Sequence, residues 1–134
     1  MYQLVLIVSA LFVLNCYAVE SETSSIYEDF QKTKTSFLTS KLTKKDFSVK
    51  FKKLDLELNS KYLKLKSLEK KELTVEGNQL ALDLELLEPL RNMAASQVNK
   101  TNCLKAKDLN QLNFTEEEKT QIKSIEKVLI SICD

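Results

Sequence analysis

Histidine and tryptophan are absent from this chain of 134 residues, and glycine and proline occur once each, as Gly77 and Pro89. Each absence excludes a chemistry. Without His there is no Ser-His-Asp or Cys-His nucleophile, no imidazole metal ligand and no His pH switch. A phosphate-cradling loop or a dinucleotide fingerprint needs several glycines at fixed spacing, so both are excluded. So few turn residues also argue against an all-β fold. No Cys-x-x-Cys spacing marks a redox site. Catalysis would have to rest on carboxylates, Lys, Ser or Tyr. The nearest approach to an acid–base pair is Glu85 and Glu88, which read as solvated surface acids. The expectation is no enzyme, no cofactor and no metal site.

Charge is missing from the first stretch, Met1 to Ala18, while the remainder is dense in Lys and Glu. The apolar run Leu4 to Leu14 is too short to span a bilayer, which takes about 20 apolar residues. Cys16 and Ala18 place small side chains at the third and the last position before a cut that would leave Val19. The stretch reads as a secretory signal peptide, residues 1–18, followed by a single secreted helical domain, residues 19–134. No Lys or Arg precedes the apolar run, so an uncleaved anchor is the competing reading.

Cysteine usage agrees with that address. Cys16 leaves with the signal, and Cys103 and Cys133 remain, an even number for an oxidising compartment. One intrachain disulfide is expected, with interchain bridges as the alternative. Closing a loop of about 30 residues stabilises a fold by about 3–4 kcal/mol in the chain-entropy model. The sequons Asn99-Lys-Thr101 and Asn113-Phe-Thr115 are candidate N-glycosylation sites in the same region.

The net charge of +1 gives no bulk attraction to nucleic acid or anionic membrane. Its distribution is uneven. From Thr43 to Glu72, Lys outnumbers Asp plus Glu by about two to one. From Leu73 to Leu90 every charge is acidic: Glu76, Asp83, Glu85 and Glu88. The two segments read as solvated faces, with pairing inside the fold or across a dimer as the alternative.

Leu, Lys and Glu dominate, and all are strong helix formers. Ile26, Phe30, Phe37 and Leu38 suggest a first helix ending near Leu42, capped by Ser24 or Ser25. The middle alternates, as in Leu54-Asp-Leu-Glu-Leu58 and Leu80-Ala-Leu-Asp-Leu-Glu-Leu86, so a β-meander competes there. At about 100° per residue the pattern resolves better. Phe47, Phe51, Leu54, Leu58, Tyr62, Leu65 and Leu68 form one stripe, and Val49, Leu56 and Leu63 a second on the opposite side. Such a helix must be covered on both sides, by the bundle or by a partner. Leu80, Leu84, Leu87, Ala94 and Val98 repeat the design, with Leu82, Leu86 and Met93 as the second stripe.

Val75-Glu-Gly-Asn78 reads as the stop between these two helices, with Gly77 as a left-handed cap. Pro89 is expected to kink the second helix or begin its last turns. Asn99 to Phe114 reads as loop, with a short helical turn near Lys105 to Leu109. Thr115-Glu-Glu-Glu118 is a capping box, and Ile122, Ile125, Val128, Leu129 and Ile132 form the face of a last helix.

The expected architecture is all-α: a three- to four-helix bundle with a long central helix or helices and one disulfide near the C-terminus. The expected function is extracellular binding to an unknown protein or receptor. The alternative is a carrier whose leucine stripes enclose a cavity for a small apolar ligand. A nucleic-acid partner is not expected. Membrane binding by Lys44 to Lys71 is disfavoured, because the lysines do not gather on one face.

Overall fold

The computed structural model describes residues 22–69, 74–96, 98–107 and 114–134, and the backbone alone for 105–107. The proposed signal peptide and Asn113 lie outside the described residues. Six helices are described: α1 (22–39), α2 (Lys44–Glu69), α3 (Val75–Leu86), α4 (Glu88–Ala95), α5 (Lys100–Lys107) and α6 (Glu116–Cys133). Among the described residues there is no strand. The alternation of the middle segment is therefore a projection of helical stripes, and the fold is a helical bundle.

α1 is already helical at residue 22, so neither Ser24 nor Ser25 caps it. It buries Ile26, Phe30 and Leu38, spaced in steps of four or eight along one face. Its end comes at residue 39, where the Ser40 hydroxyl donates to the Phe37 carbonyl at 2.7 Å. Leu42 stays buried in the connection, and Ser131 of α6 donates to its carbonyl at 2.9 Å.

α2 opens on Thr43, whose hydroxyl accepts from the Asp46 amide at 3.3 Å. It has 26 residues, about 39 Å at 1.5 Å per residue. Phe47, Phe51, Leu54, Leu58 and Leu65 are buried, with Tyr62 and Leu68 half-buried against the same core. Phe51 stacks on Phe47, with centroids 5.7 Å apart, and meets Phe37 of α1 edge-on at 5.8 Å. This fixes the first stripe as the inward face.

α3 begins from Thr74 as its N-cap, so Gly77 is not the stop between α2 and α3. Thr74 is the N-cap of α3 and accepts from the Gly77 amide, while Glu69 at the end of α2 accepts from the Thr74 amide and hydroxyl. Gly77 is thus a buried residue of the first turn of α3, rather than a left-handed stop. A threonine able to satisfy an orphan amide decides the boundary here, against the usual preference of glycine for helix ends.

Pro89 sits in the first turn of α4, one residue after its start at Glu88, where its missing amide costs no helical bond. Leu87 stands between α3 and α4, and its own N–H takes the Glu85 carbonyl that residue 89 cannot reach. α4 is held to α2 by an Arg91 fork on Asp55, at 3.0 and 2.7 Å, and by Ser48 donating to the Ala94 carbonyl at 2.9 Å.

The segment expected to be loop is partly helical. α5 begins at Lys100, five residues ahead of the expected turn, because Asn99 accepts from the Asn102 amide at 2.9 Å and starts the helix. The disulfide Cys103–Cys133 joins α5 to the end of α6, with Cα atoms 5.9 Å apart. The capping box of α6 is present in both directions: Glu118 N–H to Thr115 Oγ1, and Thr115 N–H to Glu118 Oε2. Ile122, Ile125, Val128, Leu129 and Ile132 are its buried face.

Candidate functional site: a polar cleft and an exposed apolar stripe

Two features stand apart from an ordinary core. The first is built from three polar residues that fall on apolar stripes. Lys34 lies four residues from both Phe30 and Leu38, so α1 must bury it. Asp83 lies three residues after Leu80 on the inward face of α3. Gln121 lies four before Ile125 on α6. All three are buried.

They satisfy one another. Lys34 Nζ donates to Asp83 Oδ2 at 2.7 Å and to Gln121 Oε1 at 2.7 Å. Gln31 donates to the same Asp83 oxygen at 2.7 Å, and Gln79 to the other at 3.0 Å. Gln121 Nε2 closes the set on the Asp83 carbonyl at 3.1 Å. Among the described residues no buried side-chain polar atom lacks a partner. A buried charge tolerated only when paired and hydrogen-bonded thus ties α1, α3 and α6 together. With both Asp83 oxygens engaged, and two of the three Lys34 N–H groups used, the pair has little left for proton transfer to a ligand.

Above this network opens a cleft of about 430 Å³. Its walls are Tyr27, Gln31, Thr35, Thr39, Thr120 and Ser124 among others, and Leu38 is the one aliphatic side chain in the lining. The Tyr27 hydroxyl is pushed above its ordinary pKa of 10.0, first by burial and then by the negative charges of Asp83, Glu117 and Glu76. Of the leucines expected to surround an apolar cavity, Leu80, Leu84 and Leu87 are buried in the core.

The second feature is the outward face of α2. Val49 is 75% exposed, Leu56 75% and Leu63 61%. The second stripe therefore has no cover within the described residues, whereas its counterpart on α3 and α4 is packed: Met93 is buried, and Leu82 and Leu86 are half-buried.

The charges beside the stripe are sorted. Every carboxylate of α2 is engaged: Asp46 with Lys50 at 3.7 Å, Asp55 with Arg91, Glu57 with Lys61 at 3.4 Å, and Glu69 with Thr74. Lys61 also pairs with Asp29 of α1, which draws the Asp29 carboxyl below its ordinary value, chiefly through that hydrogen bond. Lys64 reaches Glu22 at 3.5 Å. Lys45, Lys52, Lys53 and Lys66 are exposed and have no ion-pair partner among the described residues.

The remaining expected sites are scattered. Asn99 is exposed, and its Oδ1 caps α5 while its Nδ2, the atom a glycan would take, is not used in that bond. Glu85 and Glu88 are exposed on either side of Leu87, with nothing to make them an acid–base pair. Among the described residues no cluster of His, Cys, Asp or Glu could hold a metal, and no helix is long and apolar enough to cross a membrane.

The sequence reading missed Lys34 and Gln121 and took Asp83 for a surface acid. The signal was present: each occupies a core position of its helix by spacing alone.

The fold and these two features define a helical bundle closed by one disulfide. No protein-family model matches the chain, and neither a curated protein nor a solved structure is significantly similar to it.

Proposed function

We propose that this chain is a secreted, disulfide-linked glycoprotein that acts by binding a macromolecular partner in an extracellular fluid, without catalysis. One observation carries the binding reading: the three exposed apolar side chains of α2 lie in line on a helix whose other face is fully used by the core. Their alignment along one line of the helix, rather than their number, is what favours a contact surface over scattered exposure. The secreted address is supported by the uncharged segment 1–18, the Cys103–Cys133 disulfide and the exposed Asn99 sequon. A carrier of small apolar ligands has less support, because the leucine stripes are packed and Leu38 is the one aliphatic side chain lining the cleft.

Expression in a secretory cell line tests the address. The medium should contain a chain beginning at Val19, with a Cys103–Cys133 bridge. Asn99→Gln and Asn113→Gln should each remove one glycosidase-sensitive mass increment. Retention of a reduced, unglycosylated chain in the cytosol refutes it. For the activity, labelled protein should bind cells or fluid components of its source saturably. Absence of any saturable binding refutes that part.

A further inference from the structure

Resting on that binding reading, we infer that the outward face of α2 docks an acidic amphipathic helix of a partner protein: one whose apolar seam lies along Val49, Leu56 and Leu63 and whose flanking positions carry carboxylates. The spacing is the first argument. The three residues recur every seven positions and, at about 100° per residue, fall within about 20° of one line. Seven residues are nearly two turns, so the three side chains make a single-file apolar ridge, half of an a/d seam, with Lys52, Asn59 and Lys66 at the intervening positions. It runs about 21 Å from Val49 to Leu63.

Charge is the second argument, and it decides among occupants. Lys45, Lys52 and Lys53 lie within about 60° of the seam, as do Ser60 and Ser67, and no Asp or Glu does. Lys66 stands further round on the same side. The carboxylates of α2 are committed elsewhere, to Lys50, Arg91, Lys61 and Thr74. A second copy of this chain would set lysine against lysine in either helix orientation, so the face does not complement itself. An anionic bilayer would match the lysines. However, interfacial helices bury a broad apolar face rich in Phe, Trp and Leu, and this face offers one Val and two Leu in single file. A narrow apolar ridge between cationic rims fits a narrow apolar ridge between anionic rims.

The test uses the secreted, disulfide-bonded protein and two synthetic helical peptides with leucine seams, one flanked by glutamates and the other by lysines. Fluorescence anisotropy at low salt should show binding of the glutamate peptide at least about tenfold tighter than the lysine peptide. Leu56→Glu, at an exposed position and so harmless to folding, should weaken that binding by about tenfold or more. The triple exchange K45E/K52E/K53E should reverse the preference between the peptides. Equal binding of both peptides, or indifference to Leu56→Glu, overturns the inference. So does tighter binding to phosphatidylserine vesicles that is lost in Leu56→Glu, which would assign the face to membranes. A sedimentation dimer dissolved by Leu56→Glu would assign it to a second copy. If saturable binding to the natural source survives Leu56→Glu unchanged, the docking face is wrong while the broader reading stands. If natural binding is absent altogether, the broader reading fails instead.

Discussion

Removing one member of the Lys34–Asp83 pair should destabilise the bundle, and the two removals should not cost the same. The side chains are 9% and 3% exposed, so water cannot replace a lost partner. Breaking a buried pair from one side costs about 3–5 kcal/mol. Lys34→Met leaves Asp83 with the Gln31 and Gln79 amides still donating, so its cost belongs near the lower end, about 3 kcal/mol. Asp83→Leu leaves the Lys34 ammonium with Gln121 alone and frees Gln31 and Gln79, so its cost belongs near the upper end, about 5 kcal/mol. In the double variant K34M/D83L no charge is stranded. Gln121 keeps the Asp83-position carbonyl, and Gln31 and Gln79 are half-buried at the cleft, within reach of solvent. Its cost should fall below that of either single change, with a coupling of several kcal/mol. Urea unfolding followed by far-ultraviolet circular dichroism measures all four corners of the cycle. A Lys34→Met cost equal to or above that of Asp83→Leu, or a double variant as costly as the sum, refutes the assignment of these partners.

Opening the disulfide by Cys103→Ser with Cys133→Ser should lower stability by about 3–4 kcal/mol, since the bridged residues are 30 apart; calorimetry under oxidising conditions reads the loss. Thr115→Ala should cost about 1 kcal/mol by removing the cap of α6, and a cost near zero would show that Glu118 alone suffices. The Tyr27 phenol should ionise above its ordinary value of 10.0, burial being the leading cause. Folding favours its neutral form, so that contribution is intact below the ordinary value and is lost as pH climbs through the raised one. In a phenolate absorbance titration, Tyr27→Phe should remove the portion that develops at the higher pH.

The parts of the fold legible in the sequence were those where one local cause dominates. The α2 stripe from Phe47 to Leu68 and the α6 face needed only periodicity, and Thr115 with Glu118 is a self-contained cap. Pro89 could not continue a ladder wherever it stood. Boundaries failed where two local causes compete. Thr74 and Gly77 both favour a helix end, and only the placement of Glu69 beside Thr74 settles which. Asn99 was read as a glycan acceptor, and its second use, as the start of α5, went unseen. The site was legible in half. The spacing of Val49, Leu56 and Leu63 revealed a second apolar stripe, but not that its cover is missing from the described bundle. The Lys34 network went unseen because a charge on an apolar stripe has meaning only once its partner from another helix is in place.

The two bonds that anchor α1 and the connection after it to α6 also say something about time. Lys34 meets Gln121 across 87 residues of chain, and Leu42 meets Ser131 across 89. During synthesis α1 therefore waits for α6 before its buried ammonium has a full set of partners. Before then the Lys34 ammonium has Asp83 of α3 but lacks Gln121, the second acceptor it meets in the closed bundle. The Cys103–Cys133 bridge fastens the same α6 to α5, so one helix carries both the covalent closure and the longest-range polar contacts of the bundle.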